Sequence, residues 1–113
     1  MPFLHVMTNV HIGSSEKALK NQIGQAIELI PGKTESVLMI QMDEDQRLYM
    51  AGDGDQPAAM LELKVRGHYE ASHYEAFNQK ITSILQEELG IRPGRVYLQI
   101  SESEIWGVGG TIH

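Results

Sequence analysis

The chain of 113 residues contains no cysteine. That excludes disulfides, thiol nucleophiles and thiolate metal ligands. Basic residues are in short supply, nine against fifteen acidic ones, for a formal net charge of -6. Such a balance argues against nucleic acid or an anionic membrane as partner. No apolar run approaches the roughly 18 residues of a membrane-spanning helix. The N-terminus has no cationic region leading into a long apolar one, so no secretory leader is expected and the cytoplasm is the expected compartment. The length suits one domain over residues 1–113, and the 42% hydrophobic and 21% charged shares suit an ordinary globular core.

What is present is patterned. "PFLHVMTNV" reads as a first strand and "NVHIGSS" as the loop leaving it. Ser14 or Ser15 is placed to cap a helix, with Glu16 in its first turn. Leu19, Ile23, Ala26, Ile27 and Ile30 then recur at helical spacing, and "PGK" at 31–33 ends the helix. "SVLMIQM" reads as a strand apolar on both faces, "DEDQ" as a turn, "RLYMAG" as a short strand and "DGDQP" as a second turn. "AAMLELKV" alternates strictly, with Ala59, Leu61, Leu63 and Val65 on one face and Met60, Glu62, Lys64 and Arg66 on the other. A second helix carries Tyr74, Phe77, Ile81, Ile84, Leu85 and Leu89, with Gly90 suited to its C-terminal cap. "RVYLQI" is a last strand, and "SESEIWGVGGTIH" a tail.

The order strand, helix, Pro-Gly-basic turn, strand occurs twice, with Pro31-Gly32-Lys33 mirrored by Pro93-Gly94-Arg95. Each unit is a crossover that makes its two strands parallel. Side by side they predict an α+β fold, a split β-α-β pseudo-repeat: a four-stranded mixed sheet with both helices on one face. Two helices leave the other face bare, yet "SVLMIQM" would put apolar side chains there. Further copies of the chain are the simplest cover, so a homo-oligomer is expected.

Pro2 directly after Met1 raises a chemical question. Methionine is usually trimmed before a small residue, and trimming would leave Pro2 as a free secondary amine, able to act as base or nucleophile. Against this, proline is ordinary at the start of a strand, where only one ladder donor is lost.

With these elements in place, the chain resembles the tautomerase superfamily, in the branch of macrophage migration inhibitory factor and D-dopachrome tautomerase. The residues that carry the resemblance are "MP" at the start, "TNV" ending the first strand, "GK" after the first helix, "RVY" in the late strand and "WGVGGT" near the end. It implies a trimer whose three sheets form a barrel, with active sites at the subunit interfaces built on an N-terminal proline. The implied activity is cofactor-independent keto–enol tautomerisation of an α-keto acid such as phenylpyruvate. Some members are also secreted signalling proteins. Proton transfer between carbon and oxygen needs a base that works near neutral pH. An α-amino group starts at about 8, and an apolar, cation-lined pocket lowers it; Phe3 and a lysine across the pocket would do this.

Lys33 falls where the family keeps its pocket lysine, although by its place alone it reads as a solvated cation near a helix C-terminus. Tyr97 and Gln99, two apart on one strand face, fall where the family places an aromatic and an amide from the neighbouring subunit; packing between subunits is the other role open to Tyr97. Trp106 is a candidate pocket wall or an interface residue. Four departures stand out. Arg66 replaces an apolar residue of the animal proteins, either gripping a carboxylate bidentately, as for a diacid, or forming a rim ion pair. The Cys-x-x-Cys of the animal factor is replaced by Ala58-Ala59-Met60-Leu61, "GHYEASHYEAF" lacks the glycine-rich run, and the tail is altered.

Two other functions remain open on this scaffold. One is hydration or dehalogenation of an unsaturated acid, which needs a carboxylate to activate water. The other is a cytokine-like trimeric binding protein with a vestigial pocket, which needs export and a receptor. No metal or cofactor is expected. His68 and His73 are five apart and leave one helix face, the Asp clusters lack the calcium-loop pattern, and "GVGG" does not join a strand to a helix as a phosphate loop does.

Overall fold

Alternation decides which face of the first strand is buried. In the computed structural model, which describes residues 1–113, β1 (Pro2–Thr8) turns Leu4, Val6 and Thr8 inward and leaves Phe3, His5 and Met7 half-buried. It pairs in parallel with β2 (Met39–Asp43) and antiparallel with β3 (Ala59–Arg66), which pairs in parallel with β4 (Val96–Ser103). The sheet order is therefore β2-β1-β3-β4, the split arrangement that the two crossovers require.

Both helices, α1 (Glu16–Ala26) and α2 (Ala71–Leu89), pack on the same face. Their stripes, Leu19, Ile23 and Ala26 on one and Phe77, Ile81, Ile84 and Leu85 on the other, join Leu4, Val6, Leu61, Leu63 and Val65 in one core. Thr8 is fully buried there, and its hydroxyl donates to the Ala58 carbonyl at 2.7 Å. Gly90 takes the left-handed conformation at φ +68° and ends α2, its N–H donating to the Gln86 carbonyl. No helix is long and apolar enough to cross a membrane.

Four local expectations change. Neither Ser14 nor Ser15 makes a side-chain cap; a 3-10 turn at Gly13–Ser15 precedes α1, and Glu44 from the "DEDQ" turn accepts the Ile12 and Gly13 amides at 2.8 and 3.2 Å. A distant carboxylate has taken over what a local hydroxyl was expected to do. "SVLMIQM" becomes a strand only at Met39, because Glu35–Val37 form a 3-10 turn. "RLYMAG" is not a strand: Met50 and Asp53 make one bridge around Ala51 and Gly52, both at positive φ. Arg95 organises that loop, donating to the carbonyls of Met50, Asp53, Gln56 and Pro57. The tail holds a hairpin of β5 (Gly107–Val108) and β6 (Thr111–Ile112), turned by Gly109 and Gly110 at positive φ.

The open face is consequently mixed rather than uniformly apolar. Register across the four strands gives the rows Met39–Phe3–Lys64–Ser101, Gln41–His5–Glu62–Gln99 and Asp43–Met7–Met60–Tyr97. A polar row lies between two that carry apolar groups, and His5 Nε2 meets Asp43 Oδ2 at 2.5 Å.

Phe77 has no exposed surface, so Phe77→Ala should lower the unfolding free energy by about 3–5 kcal/mol. Gly90→Ala, which forces a Cβ into the left-handed region, should cost about 1–2 kcal/mol. Urea denaturation at fixed protein concentration checks both; a Phe77→Ala loss below that of Gly90→Ala would contradict this core.

Candidate active site

The site is built where β1 begins and β3 ends. Pro2 is buried and sits in register with Val65, which places the chain's start beside Arg66. Pro31 and Gly32, the latter at φ +76°, end the first helical segment, and the Lys33 N–H closes that turn on the Ile30 carbonyl at 3.1 Å. The Lys33 side chain then runs inward, leaving the residue only 9% exposed. The solvated-cation reading of Lys33 is thereby corrected: only five residues separate the turn from β2, and the lysine is enclosed as the chain enters the sheet.

A buried ammonium needs partners. Lys33 Nζ donates to the Arg66 carbonyl at 3.2 Å and lies 5.4 Å from the centre of the Tyr69 ring. The Tyr69 hydroxyl donates to the same carbonyl at 3.3 Å. The terminal amine, on Met1 in this chain, feels the same surroundings. Burial first, then a hydrogen bond with Lys33 and the charges of Lys33 and Arg66, lower its pKa from about 8 to about 6. The Met1 amine is thus shifted toward its neutral form near neutral pH.

Arg66 is exposed, and no carboxylate oxygen of the chain lies within ion-pair distance of it. The remaining candidates stand apart from Pro2 within one chain. Phe3 turns to the open face, its ring 6.2 Å from that of His5. Tyr97 and Gln99 share that open face but pair with Met60 and Glu62, five and three positions along β3 from Val65. That is about 17 and 10 Å of strand. Trp106 lies three residues beyond Ser103, the register partner of Arg66, and so at the same end of the sheet as Pro2. It is half-buried, its backbone pairs with His113, and its indole N–H is buried with no acceptor. Pro2, Lys33 and Arg66 are therefore brought together, while Tyr97 and Gln99 are not.

Tyr69 and Glu102 are pocket-edge residues that the pattern did not single out. Glu102, on β4, accepts the Tyr74 hydroxyl at 2.6 Å, His68 Nδ1–H at 2.8 Å and the Tyr69 N–H at 3.1 Å. These donors, the Tyr74 hydroxyl above all, hold its carboxyl down to about 2, and burial with the facing carboxylate pushes the Tyr74 phenol upward. The roomiest grooves of the single chain lie elsewhere. One of about 410 Å³ runs between Glu16, Lys17 and Lys20 of α1 and Ile40 and Met42 of β2, remote from the lowered amine.

Residues 1–112 match the family model described as macrophage migration inhibitory factor (MIF). Macrophage migration inhibitory factor of Rattus norvegicus is 25% identical over 109 residues, covering 96% of this chain and 94% of that protein. The Brugia malayi homolog is 26% identical, with 92% and 90% covered. Among solved structures, Leishmania major MIF2 superposes with a TM-score of 0.90 at 24% identity, covering 100% of this chain and 97% of that one. The Prochlorococcus marinus homologue gives 0.85 at 19% identity, with 97% of each chain covered. The expected four-stranded sheet with two helices on one face is the fold of these structures. By the extent of the family match, the chain belongs to the macrophage migration inhibitory factor family.

Proposed function

We propose that the chain is a cofactor-independent keto–enol tautomerase acting on an α-keto acid such as phenylpyruvate, with the Pro2 amine as base after Met1 is removed. The observation that carries this reading is the buried Lys33 beside the start of β1, with Arg66 next to it; these surroundings lower the Met1 amine, and trimming would place the Pro2 amine among them. The neutral Pro2 nitrogen takes a proton from the carbon next to the keto group. The C–H electron pair becomes the C=C bond, the carbonyl pair moves to oxygen, and the proton is returned to that oxygen. Lys33 polarises the carbonyl and holds the carboxylate, and its charge is already in place before the negative charge develops on oxygen. Arg66, with no partner in its own chain, supplies a second cation for a carboxylate.

The same reading takes the working form to be a homotrimer. Tyr97 and Gln99 lie too far along the sheet from their own Pro2 to share a pocket with it, so they serve the pocket of a neighbouring copy. Exposed Met39, Tyr97, Ile105, Val108 and Ile112 give that neighbour an apolar surface. Hydration or dehalogenation is less well supported, because the nearby carboxylate of Glu102 already accepts three hydrogen bonds and is not free to activate water.

Trimmed protein should enolise phenylpyruvate, and protein that keeps Met1 should be inactive, since its Pro2 nitrogen is an amide. Mass spectrometry of the intact chain paired with the assay checks this; equal rates for the two forms would rule out the proline mechanism. Lys33→Met removes a charge that favours the neutral amine but leaves the burial. The Pro2 amine pKa should therefore rise part of the way toward that of an unperturbed prolyl amine. The acid limb of the kcat/KM profile, where protonation silences the base as pH falls, should move to higher pH with it. Light scattering at micromolar concentration should give the mass of three chains, and a stable monomer would remove the shared pocket.

A further inference from the structure

The segment between β3 and α2 is held more tightly than a loop at a pocket edge requires. Gly67 takes φ +101° as the chain leaves the sheet, and its N–H returns to the Ser103 carbonyl at 3.1 Å. The next residues are fastened to Glu102 by the His68 ring and the Tyr69 amide, while Tyr74 reaches the same carboxylate from the first turn of α2. The Tyr74 ring stands edge-on to that of Tyr69 at 6.2 Å and 86°. Tyr69 is thus fixed by its backbone, its ring edge and its hydroxyl, and what these contacts fix is an aromatic face beside the Lys33 ammonium.

We propose that Tyr69 positions Lys33 and sets the pocket's preference for flat aromatic acids, and that Glu102 is the clamp that keeps Tyr69 in place. This inference rests on the tautomerase reading above and names a residue for which that reading has no role. Two physical points carry it. Beyond the terminal amine, Lys33 meets one hydrogen-bond acceptor, the Arg66 carbonyl, so the ring is a further contact that keeps a flexible four-carbon chain from wandering. The ring is also only half-buried, so beside a cation that holds a carboxylate it leaves an apolar surface along which the planar part of the same molecule can lie. Glu102 makes no hydrogen bond or ion pair with Lys33 and acts on it through Tyr69, Tyr74 and His68.

The test uses trimmed full-length protein, with phenylpyruvate and an unbranched aliphatic α-keto acid as paired substrates. Tyr69→Ala should raise KM for phenylpyruvate about five- to thirtyfold, the span of a cation–π contact from partly exposed to desolvated. KM for the aliphatic acid should change less, and kcat less than either. Tyr69→Phe keeps the ring and should restore KM to within about twofold of the parent. Glu102→Ala should move KM in the same direction as Tyr69→Ala, and the double variant should be no worse than Tyr69→Ala alone, as expected for residues acting in series. If Tyr69→Ala does not fold by circular dichroism, Tyr69→Leu, which keeps bulk but has no aromatic face, takes its place. Unchanged KM values for both substrates, or Phe as damaging as Ala, overturn the role of the ring; additive effects of the two sites overturn the clamp. Binding of phenylglyoxylate, an aromatic keto acid with no enolisable hydrogen, separates the two levels of inference. If the parent binds it without enolising phenylpyruvate, the tautomerase reading fails and Tyr69 is judged by the same fold-changes in Kd; if the parent does not bind it, both fail.

Discussion

A lysine ammonium with nine-tenths of its residue out of water constrains everything around it. Burying such a charge is unfavourable unless it is met by acceptors and polarisable groups. Here it is met by a main-chain carbonyl and an aromatic face, neither of which carries a formal negative charge. The positive potential is therefore not cancelled. It reaches the terminal amine, which burial first and this potential second make readier to give up its proton, and it is open to an incoming anion. A carboxylate partner for Lys33 would have made a tidier ion pair and a duller corner.

The Arg66 carbonyl is the geometric hinge of that arrangement. It is the last carbonyl of β3, on a residue that pairs with Ser103 of β4 and directly follows Val65, the partner of Pro2 in β1. It accepts from both Lys33 and Tyr69, which ties the crossover after α1 to the segment before α2. The Arg66 side chain, in contrast, has no partner in the chain. One residue thus contributes a rigid backbone acceptor and a mobile cation to the same place.

Much of this was legible in the sequence. The alternation of 58–66 and the helical stripes of both helices assign the buried face directly, because burial on one face of a periodic element leaves a periodic trace. The parallel pairing followed from two crossovers of similar order. Other features left no such trace. Glu44 caps a helix entry some thirty residues away, and Glu102 fastens a segment more than thirty residues before it, so both depend on contacts that local pattern cannot express. Ser36 and Val37 read as strand because Val37 and Leu38 are apolar and follow a turn, yet they belong to a 3-10 turn ahead of β2. Lys33 is the instructive case among the site residues. Its position after Pro-Gly reads as solvent-facing, and only the resemblance to a known family suggested otherwise. Tyr69 stood in a segment noted for its departure from that family, but nothing in its neighbours announced the Lys33 contact. The tail hairpin has only two residues in each strand, too few to leave a period-2 trace on either side of Gly109 and Gly110.

The first strand occupies an interior place in the sheet, with neighbours on both sides from its second residue onward. Its starting end is hemmed in by the last turn of one crossover and the last residue of another strand, so there is little room at that corner for anything that precedes it. An affinity tag fused ahead of Met1 would convert the amine into a peptide bond and add chain beside the buried Lys33. A handle at the opposite terminus leaves that amine free: His113 is exposed, at the end of a hairpin outside the four-stranded sheet. Purification handles, fluorophores and surface tethers belong there, and material prepared with the handle at the front would report on a different molecule.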